Sequence, residues 1–132
     1  MNQFALLFIA VIVLCSCTDA QVKTSDIKTE SRNTISKVVS PDEFKELMNK
    51  PEAQLVDVRT ASEYTAGKIG NAINIDYYSD GFKKHIAKLD KNKIVLVYCA
   101  AGGRSAKAAK IFSDMGFIEV YDLKGGYGNW NE

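Results

Sequence analysis

Cys99 is followed by Ala100-Ala101-Gly102-Gly103-Arg104-Ser105, so a thiol precedes two adjacent glycines and a guanidinium in one short stretch. The preceding run, Ile94-Val95-Leu96-Val97-Tyr98, reads as a buried strand. Ser105 to Met115 reads as a helix, with Ala108, Ile111, Phe112 and Met115 on one face. The thiol therefore falls at a strand end, beneath a Gly-Gly loop that runs into a helix N-terminus. Such a loop offers backbone N–H groups, and the helix adds the positive end of its dipole. Both favour a thiolate, and such surroundings lower a cysteine pKa from about 8.5 to roughly 3.5–7.5. The same N–H groups can receive an anionic substrate. The chemistry served is nucleophilic attack by sulfur.

The elements that must position this thiol follow from patterning. Ile35 to Val39 is a short strand, and Ser40-Pro41 starts a helix with Phe44, Leu47 and Met48 on its apolar side. Gln54 to Val58 is a second buried strand, with Asp57 and Arg59 at its C-terminal end. Thr60-Ala61-Ser62-Glu63 has the form of a capping box and opens a short helix. Ala72 to Ile75 is a third strand, Asp80 to Leu89 an amphipathic helix, and Ile118 to Asp122 a last strand. Gly125-Gly126 then turn the chain toward Trp130. Strands alternating with helices predict a parallel α/β sheet covered on both faces. In such sheets the reactive crevice lies beyond the C-terminal strand ends. Cys99, Asp57 and Arg59 all fall there; Asp57 and Arg59 are read as a structural pair or as supports of the loop.

The chain has 132 residues, with 25% charged and 46% hydrophobic, which suits one globular domain. A net charge of +1 gives no strong electrostatic case for nucleic acid. Phe4 to Leu14 is wholly apolar. It is shorter than the roughly 20 residues a spanning helix needs and fits the core of a signal peptide. Leu14-Cys15-Ser16-Cys17 resembles a bacterial lipobox, which implies acylation of Cys17. The expected organisation is a signal peptide over 1–17, a flexible tether over 18–33 and a folded domain over 34–132. The protein is then exported and held at the periplasmic or cell-envelope face of a membrane by lipid. Soluble secretion or an uncleaved short anchor are the alternatives. Cys99 is the sole cysteine of the folded part, so no second thiol there can pair with it.

Four segments, in order, resemble the single-domain rhodaneses, the sulfurtransferase homology domain. Leu55-Val56-Asp57-Val58-Arg59 with Glu63-Tyr64, Gly67, Ile69 and Gly70 resembles the family's Asp-x-Arg…Glu-Tyr…Gly-His-Ile-x-Gly-Ala stretch. Ala72 to Ile75 is similar to its Ala-x-Asn-Ile strand, and Cys99 to Ser105 to its Cys-x-x-Gly-x-Arg-Ser loop. Leu123, Gly125, Gly126 and Trp130 are similar to its C-terminal signature. The resemblance implies a rhodanese-like three-layer sandwich, a central parallel sheet of about five strands with helices on both faces. It implies that the Cys99 thiolate takes a sulfane sulfur from thiosulfate or a persulfide, becomes a persulfide itself, and passes the sulfur to a thiophilic acceptor. Ala100, Ala101, Gly102, Gly103, Arg104 and Ser105 would bind the substrate. Gly102 and Gly103 would supply the backbone freedom, and Arg104 charge or a pin for the loop.

The expected partners are a small anionic sulfur donor and a thiol, cyanide or protein acceptor, with no metal, no organic cofactor and a monomeric state. Lys68 stands where the family has histidine, and Glu63 where two-domain members have arginine. Ala100 and Ala101 give the loop no basic side chain after the cysteine. The competing readings are a non-catalytic or redox-sensing binding module and a cysteine-dependent phosphatase or arsenate reductase. The latter requires five residues between Cys and Arg; here four intervene. His85 and the lysines 83, 84, 88, 91 and 93 read as a solvated face, and Tyr77, Tyr78, Tyr127 and Trp130 as core packing.

Overall fold

A computed structural model of the chain describes residues 33–131. The proposed signal peptide, lipidation site Cys17 and all of the tether before Asn33 lie outside the described residues. Five strands form one sheet: β1 (Ile35–Val39), β2 (Gln54–Asp57), β3 (Ile73–Asn74), β4 (Val95–Tyr98) and β5 (Glu119–Leu123), in the order β1-β5-β4-β2-β3. Every pairing is parallel, as the alternation of strands and helices predicts. The most apolar strand, β4, sits in the middle, with all four of its residues buried. Four helices connect the strands: α1 (Pro41–Met48), α2 (Ala61–Ala66), α3 (Phe82–Ile86) and α4 (Gly103–Asp114).

Side-chain alternation along the strands divides the core in two. On one face Val56, Val95, Val97 and Val120 pack with Phe82 and Ile86 of α3 and with Ala108, Ala109 and Phe112 of α4. On the other, Leu55, Leu96, Tyr98 and Leu123 pack with Phe44 of α1 and with Ile69 and Ala72. Cys99 continues the Val95-Val97 parity and therefore belongs to the α4 face.

Two expected elements are shorter than their patterns. Asp80 to Leu89 narrows to α3 because the bonds beyond it tighten: Lys88 and Leu89 donate to His85 and Ile86, three residues back. Ala72 to Ile75 narrows to β3 at the sheet edge. There the Asn74 side chain spans to the carbonyls of Asp57 and Arg59, at 3.0 and 2.8 Å, and ends regular pairing. The helix expected from Ser105 begins two residues earlier, at Gly103.

Connectivity creates the crevice. From β2 the chain moves outward to β3, whereas from β4 it moves the other way to β5. The helices leaving these neighbouring strands, α2 and α4, thus diverge at their N-termini above the C-terminal strand ends.

Candidate active site

Cys99 lies one residue past β4, and the chain reaches α4 through Ala100, Ala101 and Gly102. Gly102 takes φ +105°, a left-handed conformation that costs glycine little. That turn aims its N–H at the Cys99 Sγ, 3.1 Å away. Gly103 has no such angle, and a Cβ there would meet open space. The two glycines therefore differ: Gly102 shapes the loop, and Gly103 is simply the first helical residue.

Cys99 is buried, and burial pushes its thiol pKa up. The Ser105 hydroxyl and the amides of Ser105, Ala101 and Gly102 outweigh this, so the net direction is down. The Ser105 amide belongs to the first turn of α4, where N–H groups lack helical partners. The sulfur thus sits in a ring of donors that stabilises negative charge on it or on a sulfur attached to it.

Arg104 is held in place. Its Nη1 and Nη2 donate to Glu63 Oε2 and Oε1 at 2.7 and 2.8 Å, a bidentate bridge between α4 and α2. Glu63 also completes the α2 capping box, its carboxylate accepting the Thr60 N–H at 2.9 Å. The Arg104 hydrogen bond, with the Thr60 bonds behind it, outweighs burial and lowers the Glu63 pKa to about 2. Arg104 itself is raised above its ordinary value, the Glu63 bond being the main cause. Of the two roles expected for Arg104, the geometry gives the pin.

Asp57 and Arg59 form a buried ion pair, with Arg59 Nη2 donating to Asp57 Oδ2 at 2.6 Å and to the Gly67 carbonyl at 2.6 Å. Burial disfavours the Arg59 charge, but the bonds to Asp57 more than compensate. The hydrogen bonds of these side chains go to each other, to the Arg59 N–H and to the Gly67 carbonyl, not to the 99–105 loop. The link to it is indirect: Arg59 lies 4.0 Å from the centre of the Tyr127 ring, and the Tyr127 N–H donates to the Cys99 carbonyl at 2.7 Å. The Gly128 N–H adds a bond to the Ala100 carbonyl at 3.0 Å.

Tyr127 and Trp130 pack inward, against Tyr98 and Phe44. Tyr77 packs on Phe82. Tyr78, expected in the core, is instead 69% exposed and 5.8 Å from the Arg104 guanidinium, at the rim of the site. His85 is exposed, as are lysines 83, 84, 88 and 91; Lys93 is half-buried and pairs with Glu52. A groove of about 370 Å³ beside β3, lined by Ile73, Ile75, His85 and Leu89 among others, contains no residue of the 99–105 loop.

Two residues near the sulfur escape the sequence reading. Glu63 is accounted for there as a helix cap, which conceals its bond to Arg104. Asp122 is buried in the α4 face of β5 and acts on Ser105. Its signal is parity, since it shares the face of Val120 in an otherwise apolar alternation.

A family model described as a rhodanese-like domain matches residues 40–132. The chain belongs to the rhodanese-like domain family. It is 37% identical over 93 residues to a tRNA uridine(34) hydroxylase of Cytophaga hutchinsonii, covering 68% of this chain and 30% of that protein. A protein of the same name from Pelagibacter ubique is 30% identical over 111 residues, covering 83% and 37%. The chain thus spans roughly a third of the length of these curated relatives. Among solved structures, a rhodanese-like domain protein from Staphylococcus aureus is similar at 34% identity and TM-score 0.63, covering 73% of this chain and 92% of that one. A rhodanese-related protein from Thermoplasma volcanium is similar at 29% identity and TM-score 0.63, covering 71% and 89%. The rhodanese-like α/β fold expected from the sequence is the one observed, and the fold matches that of these rhodanese-like domains over most of their length.

Proposed function

We propose that the protein is a sulfurtransferase that carries a sulfane sulfur as a persulfide on Cys99. The observation that carries this reading is the aim of the Gly102 N–H at the Cys99 sulfur, 3.1 Å away, within a loop whose donors lower the thiol pKa. In the first half-reaction the thiolate attacks the outer sulfur of thiosulfate or an organic persulfide. The S–S bond of the donor breaks, its electron pair leaves with sulfite or a thiolate, and Cys99 keeps the transferred sulfur. In the second, an acceptor nucleophile attacks that outer sulfur and the Cys99 thiolate is released. Loop amides stabilise the anionic sulfur in both steps, and no metal or organic cofactor takes part. The acceptor is a thiol, cyanide or a protein thiol. The domain alone does not account for the uridine hydroxylation named for relatives about three times its length, so that activity is not assigned to it.

The same reading places the enzyme outside the cytoplasm, tethered through a lipid on Cys17. Its support is the apolar run Phe4 to Leu14 followed by Leu14-Cys15-Ser16-Cys17. Labelling with a fatty-acid analogue that Cys17→Ala abolishes tests it. Catalysis is tested by a donor and acceptor screen with wild type and Cys99→Ala. Turnover with at least one sulfane donor, absent in the variant, is expected. Equal turnover by both proteins would refute the role of Cys99.

A further inference from the structure

Asp122 is a buried carboxyl that the sulfur-transfer scheme does not use. It is 3% exposed, and its Oδ1 has no hydrogen-bond partner among the described residues. An orphaned carboxyl oxygen in a core is costly and calls for a reason. In register it lies beside Val97 of β4. It is thus one strand across from Cys99 and two residues short of it, about 8 Å away along an ideal sheet. Both residues face α4, and Ser105, buried at the start of that helix, acts on each. The Ser105 hydroxyl donates its one proton to the Gly102 carbonyl at 3.2 Å, and it also favours the ionised forms of the Cys99 thiol and the Asp122 carboxyl. A hydroxyl rotates to suit its neighbours.

We propose that Asp122 is a positioning residue of the site: protonated, it donates to the Ser105 Oγ and leaves the Ser105 proton to the Cys99 sulfur; ionised, it takes that proton for itself. The chain of donors then runs from carboxyl to hydroxyl to sulfur. Loss of the Asp122 proton to solvent reverses the hydroxyl and adds a negative charge near the thiolate. The surroundings suit a carboxyl that changes state. Burial raises its pKa to about 6, partly offset by Ser105. The buried residues of α4 are Ser105, Ala108, Ala109 and Phe112; β4 contributes Val97 and then Cys99, and β1 contributes Val38. Cys99 is the one titratable group among these, and Arg104 at the same helix end is engaged by Glu63. The consequence is that acidification, which protonates thiolates, also switches on a donor chain that opposes this. Cys99 therefore stays reactive into mildly acidic conditions.

This inference rests on Cys99 being the reactive thiol, and its test needs no sulfur donor, so the two ideas fail separately. The rate of Cys99 alkylation by iodoacetamide is followed against pH in the full chain. Mass spectrometry of the Cys99 peptide keeps Cys15 and Cys17 out of the signal. Wild type is expected to show two inflections, the lower near 6. Asp122→Asn, whose amide donates at every pH, collapses these to one inflection, about one unit below the upper one of wild type. In a Ser105→Ala background the same substitution has little further effect. Asp122→Asn profiles that superimpose on wild type, or a shift undiminished by Ser105→Ala, would overturn the proposal. Independently of any variant, the Asp122 carboxyl carbon resonance should titrate at lower pH once Cys99 is alkylated, because coupling is reciprocal. An unmoved midpoint contradicts it.

Discussion

At the residue scale, Glu63 performs two tasks with one carboxylate: it caps α2 and fixes Arg104 on α4. Its pKa falls from 4.5 to about 2 in the folded protein, chiefly through Arg104. The stabilisation is complete above the unfolded value of 4.5 and disappears as pH falls through 2. Glu63→Gln should therefore destabilise the protein at neutral pH by about 0.5–1 kcal/mol, the range for a solvent-screened pair. The deficit should shrink steadily as pH falls from 4.5 toward 2, as urea denaturation across that interval would show. Of these residues, Cys99 and Gly102 are legible from sequence because their function lies within one short loop. The bond between Glu63 and Arg104 joins positions 41 apart, and nothing local announces it. Gly103 is legible only as one of a pair, since identical residues hide different backbone angles.

At the element scale, the segment after β5 closes onto the loop after β4 as a clamp. Gly126 is its tightest point: a Cβ there would fall 2.4 Å from the Cys99 carbonyl oxygen and 2.7 Å from the Ala100 carbonyl carbon. Its φ is +62° as well. Gly126→Ala must push the two segments apart, with an expected stability loss on the order of 2–4 kcal/mol and slower Cys99 alkylation. Gly103→Ala is the contrasting substitution. It meets open space at a helical φ and should leave stability unchanged or raise it by up to about 1 kcal/mol. Thermal melts of the two variants check both expectations. The sequence reading places every strand and helix, because apolar periodicity and caps are local. The ends of α3 and β3 fall short of their patterns, where bonds from Lys88 and Leu89 and from the Asn74 side chain decide the boundary.

At the scale of the whole molecule, the sheet order sets the loop after β4 and the N-terminus of α4 over the central strand end, so the fold itself creates the donor ring around Cys99. This much follows from strand alternation and the apolar β4. The buried charges do not, since their partners are set by packing. Asp122 shows the cost of such burial. Its pKa rises from 3.8 unfolded to about 6 folded, so the protonated form is favoured in the fold. Stability from this group is present below 3.8 and lost as pH rises through 6. Asp122→Asn should consequently stabilise the protein at pH 7 by on the order of 1–3 kcal/mol, a gain that vanishes below pH 3.8, by chemical denaturation at both pH values.

The folded domain holds one cysteine, so on the proposed function sulfur loaded onto it has no second thiol within that domain to leave to. Intact-mass analysis after brief exposure to thiosulfate or an organic persulfide tests the central claim most directly. The account predicts a gain of one sulfur atom, mapped to the Cys99 peptide, removed by cyanide or a thiol and absent in Cys99→Ser. A protein that gains no sulfur at Cys99 from either class of donor would contradict it.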